Sequence, residues 1–233
     1  MSNGREIILG RIREGLKLSA PHPSSHVSPL EHREVPASKP GVARDWLPPV
    51  GATFEEQVDL FRSNTEALKA RFEMPGSMEE AAAIVSAIAA EEGWKRLAFH
   101  GNELVRSLSD QLDRPGLERI CLGDDYDKSQ LEECDAGLTT CEALVAQTGS
   151  VLVSSTNCGG RALSVLPPHH VVIAKREQML PDLQEAMAFA RRKFGDAMPS
   201  MLSLITGPSR TGDIERILVL GAHGPKKLTI LAI

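Results

Sequence analysis

Apolar positions along the chain follow two rhythms, a spacing of three to four and a shorter β-type alternation, and together they mark a series of helices and strands. Near the N-terminus Ile8, Ile12 and Leu16 recur every fourth residue. They share one face of a short helix that Ser2 or Asn3 can cap and that ends near Leu18. A helix this short is marginal alone and should dock on something. Residues 20–50 then carry seven of the fifteen prolines. That density rules out helix and predicts an extended arm or linker. The arm can dock onto a second subunit, giving a homo-oligomer, or stay loose. The division expected is therefore an N-terminal helix and proline-rich arm over 1–48 and a compact domain over 49–233.

In the compact part, Thr53 can cap a helix whose buried face carries Phe54, Val58, Phe61, Leu68 and Phe72. Ser77 caps the next, running through Ile84, Val85 and Ile88 to Gly93. A short strand is expected at 95–99, a helix bearing Leu104, Val105, Leu108 and Leu112 follows a turn at Gly101, and a second strand fits 119–122. The second half is richer in strands, at 151–154, 171–174, 201–205, 216–220 and 228–233. One helix begins near Pro181, with Leu183, Met187, Ala190 and Phe194 on its inner face. Alternating strands and helices predict an α/β fold: a three-layer sandwich with a mainly parallel sheet. No internal repeat is visible.

Composition narrows the functional classes. Thirty-one acidic and 26 basic residues give a formal charge of −5. This argues against nucleic acid as the main partner, which calls for clustered positive charge. No apolar run reaches the ~18–20 residues that span a bilayer. The first residues lack the apolar block of a secretory signal, so a cytoplasmic location is expected. Cys121, Cys134, Cys141 and Cys158 show no spacing suited to zinc or an iron–sulfur cluster. They read as reduced thiols without a metal, with Cys158, beside Gly159-Gly160, the candidate for reactivity.

Three loops can carry chemistry. In the stretch 205–215 a strand ends at Thr206, Gly207 allows a tight turn and Pro208 fixes the next φ. Ser209, Arg210 and Thr211 then offer hydroxyls, amides and a planar cation suited to a carboxylate or phosphate. Asp213 can orient Arg210 or cap the following turn. In Gly221-Ala222-His223-Gly224-Pro225, glycines leave the imidazole accessible for proton transfer, which makes His223 the candidate catalytic residue. In the third region Thr148, Gly149 and Ser150 form a bend with two hydroxyls, and Arg161 follows Gly159-Gly160. Adjacent His169 and His170 are expected to fix the turn after Pro167-Pro168 rather than share a metal. Neither a dinucleotide fingerprint nor a phosphate-binding G-x-x-x-x-G-K-[ST] loop is present. No nucleophile-elbow motif supports a Ser–His–acid triad.

These loops, in this order, resemble the LUD-domain family, and within it the lactate utilisation protein C group. The likeness rests on Ala146–Leu152, on Arg161–Ser164 with Leu166–His170, on Ile205–Glu215, and on Leu220–Pro225. The resemblance implies a fold like that of sugar-phosphate isomerases and coenzyme A transferases. It also implies a role in oxidising L-lactate to pyruvate beside two partners, lactate utilisation proteins A and B, which carry the iron–sulfur clusters. No cofactor is expected in this chain itself. One departure stands out: Gln147 replaces an acidic residue common in relatives. An amide cannot act as base or nucleophile, so no acyl-carrying role is transferred. The leading expectation is an anion-binding component of a lactate-oxidising assembly. Arg210, Ser209, Thr211 and the amides after Gly207 would hold the anion, with His223 in the same pocket and Thr148, Ser150 and Arg161 opposite. The rivals are a stand-alone enzyme acting on a phosphorylated, acyl-coenzyme A or folate substrate, and a structural adaptor. Whether the chain catalyses a step stays open at this level.

Overall fold

The computed structural model describes residues 14, 49–123, 128–156, 160–211, 219–221 and 223–233. The chain divides into two units, Met1–Leu47 and Pro48–Ile233. All of the N-terminal helix but residue 14, the arm up to residue 48, Cys158, Asp213 and most of the strand expected at 216–220 lie outside the described residues.

The second unit opens with helix α1 (Phe54–Ala67). Its start is a capping box. The Thr53 hydroxyl accepts from the Glu56 amide at 3.2 Å, while the Glu56 carboxylate accepts from the Thr53 amide at 3.0 Å. Backbone donation from Thr53 and Ala52 holds the Glu56 carboxyl below its ordinary pKa. Of the expected apolar face Val58 and Phe61 are buried but Phe54 is exposed, and the helix stops earlier than that pattern suggests. Lys69 adopts a left-handed φ of 64°, and the chain turns into strand β1 (Arg71–Glu73). Phe72 is therefore a strand residue, packed edge-on against Phe61 with ring centroids 4.8 Å apart.

Six parallel strands form the main sheet in the order β1-β12-β7-β4-β2-β3. They are β1, β2 (Arg96–His100), β3 (Glu118–Leu122), β4 (Ala136–Thr139), β7 (His169–Ala174) and β12 (Lys227–Ala232). Strand side chains alternate between faces. Val171, Ile173 and Leu231 pack on one side with helices α2 (Met78–Glu91) and α3 (Glu103–Asp110). Val172, Ala174, Leu228, Ile230 and Ala232 face the other, where α1 and a smaller sheet cover them. Burial on both faces explains why β4 and β7 carry no polar alternation.

The smaller sheet runs β8-β5-β6-β9. Its members are β5 (Ala143–Val145), β6 (Ser150–Ser154), β8 (Met179–Leu180) and β9 (Leu202–Ile205). Leu144, Val151 and Val153 enter the core shared with α1 and the main sheet. Two short helices, α4 (Lys128–Glu132) and α5 (Gly160–Leu163), lie in the connections before β4 and β7. The backbone carbonyl of Leu163 sits only 2.5 Å from where a Cβ on Gly137 would be, so β4 needs glycine there. Helix α6 (Leu183–Phe194) buries Ala186 and Ala190. Met187, expected on its inner face, is exposed. Strands β10 (Arg210–Thr211) and β11 (Val219–Leu220) pair antiparallel.

Candidate functional site

Two of the three sequence-marked loops converge on the C-terminal turn of α1. Asn64 donates to the carbonyls of Ala146 and Gln147 at 2.9 and 3.0 Å. Gly149 holds φ at 62°, and a Cβ there would stand 2.9 Å from Asn64 Cβ and 3.0 Å from the Thr65 amide nitrogen. Gly207, at φ 85°, lies against Leu68 in the same way. The Arg210 guanidinium donates to the Leu68 carbonyl oxygen. Leu68 is the C-cap of α1, so this cation sits at the negative end of the helix dipole. Arg210, expected to hold a ligand anion, is thus engaged with backbone in this structure. Thr211 contributes a backbone pair with Val219.

From this turn a line of hydroxyls runs inward and back out. The Ser150 hydroxyl donates to Thr148 Oγ1 at 2.7 Å, and Ser150 Oγ lies 2.7 Å from Thr206 Oγ1. Ser150 is buried, whereas Thr206 is exposed on the rim of a cleft.

That cleft, of about 220 Å³, lies between α5, β9 and the loop before β12. It gathers Arg161, Thr206, Gly207, Ser209 and His223 from the expected set. Thr148 and Gly149 do not line it, and Ser150 reaches it only through Thr206. Sequence reasoning missed Ser164 and Ser203, which add two hydroxyls, and Val165, Met201, Ile205 and Pro225, which form the apolar wall. Ser164 and Val165 follow α5, Met201, Ser203 and Ile205 lie on or beside edge strand β9, and Pro225 is in the loop before β12; their side chains carry no charge and no imidazole that would single them out as ligand groups. The loop geometry is fixed by backbone bonds: the Ser209 amide donates to the Pro225 carbonyl at 2.8 Å, and the Gly221 amide to the Ser209 carbonyl at 3.0 Å. A Cβ on Gly224 would approach Ser209 Cβ to 3.3 Å. The amides of Lys226 and Lys227 donate to the Pro168 carbonyl. The 223–225 wall therefore enters the amino end of β12, not the carboxyl end of a parallel strand, where loop chemistry of such folds commonly gathers.

Chemically, the cleft offers one guanidinium, one imidazole and four hydroxyls. No Asp or Glu is among its described lining residues. This set suits a compact anion with an apolar portion.

The remaining candidates do other work. The Gln147 side-chain oxygen accepts from the Leu183 backbone amide at 3.4 Å, and the Gln147 backbone amide donates to the Pro181 carbonyl at 2.9 Å. It thus ties the 146–148 turn to the start of α6. His169 and His170 are strand residues, not turn residues, and face opposite sides of β7. His170 Nε2 lies 2.9 Å from Thr139 Oγ1, and complete burial pushes its pKa down to about 3. His169 spans Glu92 (3.0 Å) and Thr229 (2.9 Å) in a second, smaller cleft of about 150 Å³. Burial lowers the His169 pKa against the opposing pull of Glu92. Burial also resists ionisation of Glu92, but bonds from His169, Lys227 and Trp94 outweigh it and hold its pKa down. With both ring nitrogens of His169 engaged, the network reads as support for the sheet's amino edge.

A buried carboxylate also escaped notice. The Glu142 side chain is fully enclosed and bonds Ser154 from β6 and Lys193 from α6. Among the described residues no His, Cys, Asp and Glu cluster could hold a metal ion. No described helix is long and apolar enough to cross a membrane.

Comparison with known proteins places this geometry. The LUD domain profile matches residues 58–233. Lactate utilization protein C of Bacillus licheniformis is 33% identical over 111 residues, which cover 47% of this chain and 46% of that protein. The protein of the same name from Shouchella clausii is 32% identical over 145 residues, 60% of each chain. The uncharacterized protein YkgG of Escherichia coli is 36% identical over 107 residues, covering 45% of this chain and 46% of that one. The chain thus spans about half the length of the first of these relatives. A crystal structure of a DUF162 family protein from Deinococcus radiodurans superimposes with a TM-score of 0.59 at 18% identity. It covers 78% of this chain and 99% of that one, a likeness of fold. With the profile extending over the whole core and the cleft, the chain belongs to the LUD domain family.

Proposed function

We propose that this protein is an anion-binding component of a cytoplasmic lactate-utilisation system. In it the protein works beside iron–sulfur partners, lactate utilisation proteins A and B, in the oxidation of L-lactate to pyruvate. Family membership and the names of its relatives support the lactate role. The observation that carries the anion reading is the cleft itself: Arg161 and His223 with four hydroxyls, and no acidic side chain among the described lining residues. Arg161 takes the part expected of Arg210. Its guanidinium would pair the ligand carboxylate, and His223, at the mouth, can accept or return a proton. The iron–sulfur chemistry of the partners would supply the electron path, so this chain needs to bind and orient.

Equilibrium binding tests the reading. The full chain is titrated with lactate, pyruvate and inorganic phosphate, alone and as the Arg161→Ala variant. An exposed charged contact is worth roughly 1–2 kcal/mol, so the variant should bind about 10-fold more weakly. No binding of any of the three anions, or equal affinity in the variant, contradicts the reading. Co-purification of the chain with proteins A and B tests the assembly.

A further inference from the structure

Strand β9 ends the smaller sheet on the side of the larger cleft. Antiparallel pairs alternate between residues that exchange both backbone bonds and residues that exchange none. Two bonds fix the phase here. The Ser155 amide donates to the Met201 carbonyl at 3.0 Å, and the Leu152 carbonyl accepts from the Glu142 amide at 2.7 Å, on the β5 side. Leu152 stands opposite Leu204, and Ser154 opposite Leu202. These are therefore the non-bonded pairs, and the amide and carbonyl of Leu202 and of Leu204 point away from the sheet. Among the described residues nothing bonds them. The strand, Leu-Ser-Leu-Ile, is half-buried throughout and carries neither charge nor proline, the usual guards of an open edge. Its other face lines the cleft through Ser203 and Ile205, with Met201 just before it. Across the cleft stand Arg161 and Val165, and Val165 and its neighbour Leu166 are 37% and 38% exposed.

We propose that the free edge of β9 and the cleft beside it form a docking site for an extended, acidic segment of a partner protein, added to the smaller sheet as a further strand. Backbone bonds to Leu202 and Leu204 hold such a strand whatever its sequence, and the cleft selects its side chains. Alternate side chains of the added strand point to the same side as Met201, Ser203 and Ile205. Charge decides which of them fits: the cleft presents Arg161 and His223 and no Asp or Glu among its described lining residues. An aspartate or glutamate pairs with the guanidinium, and a basic side chain there is repelled. The residues on either side of the acid face the other way, beside Leu202 and Leu204, and are apolar. The pattern recognised is apolar, acidic, apolar. This goes beyond the small-anion reading: the same cation takes a carboxylate carried by a protein, and the strand edge supplies the rest of the contact.

The probe is a capped, fluorescein-tagged pentapeptide, threonine-valine-glutamate-valine-threonine, titrated against the full chain by fluorescence anisotropy. Its glutamine counterpart, and the Arg161→Ala protein, should each bind about 10-fold more weakly. Two N-methylated forms distinguish an added strand from loose adhesion. One is methylated on both valine amides, the other on the glutamate and the last threonine. Alternate amides of a strand point to opposite edges, so one form should bind like the parent and the other at least about 10-fold more weakly. Leu204→Pro removes an outward amide, a change an edge strand tolerates. It should lose the peptide and keep its affinity for lactate, with circular dichroism confirming the fold. If that variant misfolds, the N-methylated pair on the unmodified protein decides. Two N-methylated forms that bind alike overturn the added strand. No peptide binding by a protein that still binds lactate overturns the docking site and leaves the small-anion reading standing. Peptide binding without lactate binding supports the docking site and overturns the small-anion reading. Binding of neither overturns both.

Discussion

The Arg210 guanidinium donates to the carbonyl oxygen of Leu68, 142 positions away in sequence. This contact joins the loop after β9 to the last turn of α1, and Gly207 packs on the same leucine. The most ligand-like string in the sequence therefore serves in part as a helix clamp. Arg210→Ala should lower unfolding stability by about 1 kcal/mol, the worth of a cation at an exposed helix C-terminus. It should leave anion affinity within about 2-fold. Urea unfolding combined with lactate binding checks both halves, and a large loss of affinity with unchanged stability contradicts the clamp.

The Glu142–Lys193 pair predicts an asymmetry. The carboxylate side chain is fully enclosed, while the lysine side chain is 39% exposed. Removing the lysine takes the cation away from an enclosed carboxylate; removing the carboxylate lets the ammonium return to water. Lys193→Met should therefore cost more than Glu142→Gln, about 3 against about 1–2 kcal/mol. Denaturant titration of the two variants measures the difference, and the reverse order contradicts it.

Buried histidines make the fold acid-sensitive. His170 is held neutral to about pH 3 and the His169 pKa is also lowered, both chiefly by burial. Below about pH 6.5 the unfolded chain takes up protons that the folded chain refuses, so stability falls as pH falls. At pH 5, well above the folded value of about 3, His170 alone should remove about 2 kcal/mol relative to pH 7.5. Glu92, whose pKa is lowered, adds its loss only below about pH 4.5, in a separate window. Urea midpoints at pH 7.5 and 5 test this. A flat profile, or a His170 ring signal titrating near pH 6.5, contradicts it.

How far the fold was legible depended on which forces were local. The start of α1 was readable because Thr53 and Glu56 stand three apart and cap each other. Its end was not: Leu68 and Phe72 continue the apolar spacing, but the backbone reverses at Lys69 to let Phe72 join a sheet whose partner strand is Lys227–Ala232. Strands β4 and β5 were missed because Ala136–Thr139 and Ala143–Val145 are short and buried on both faces, so they show no alternation. In the site, glycine at 149 and 207 was read as turning the chain, and both take a positive φ, 62° and 85°; their close approach to α1 was not legible. What approached, Asn64 and Leu68, is a tertiary fact. Nothing local to Arg161 or Arg210 separated the one beside the cleft from the one on a helix end. The histidine pair was misplaced because Pro167-Pro168 suggested a turn where the strand had already begun.

The most direct test is to map, residue by residue on the isotope-labelled full chain, which backbone amides shift as lactate is added. Perturbations should centre on Arg161, Ser164, Thr206, Ser209 and His223, and need about 10-fold more lactate to saturate in Arg161→Ala. Shifts confined to the neighbourhood of Glu92, Trp94 and His169, or no saturable shifts at all, would contradict a ligand site in the larger cleft.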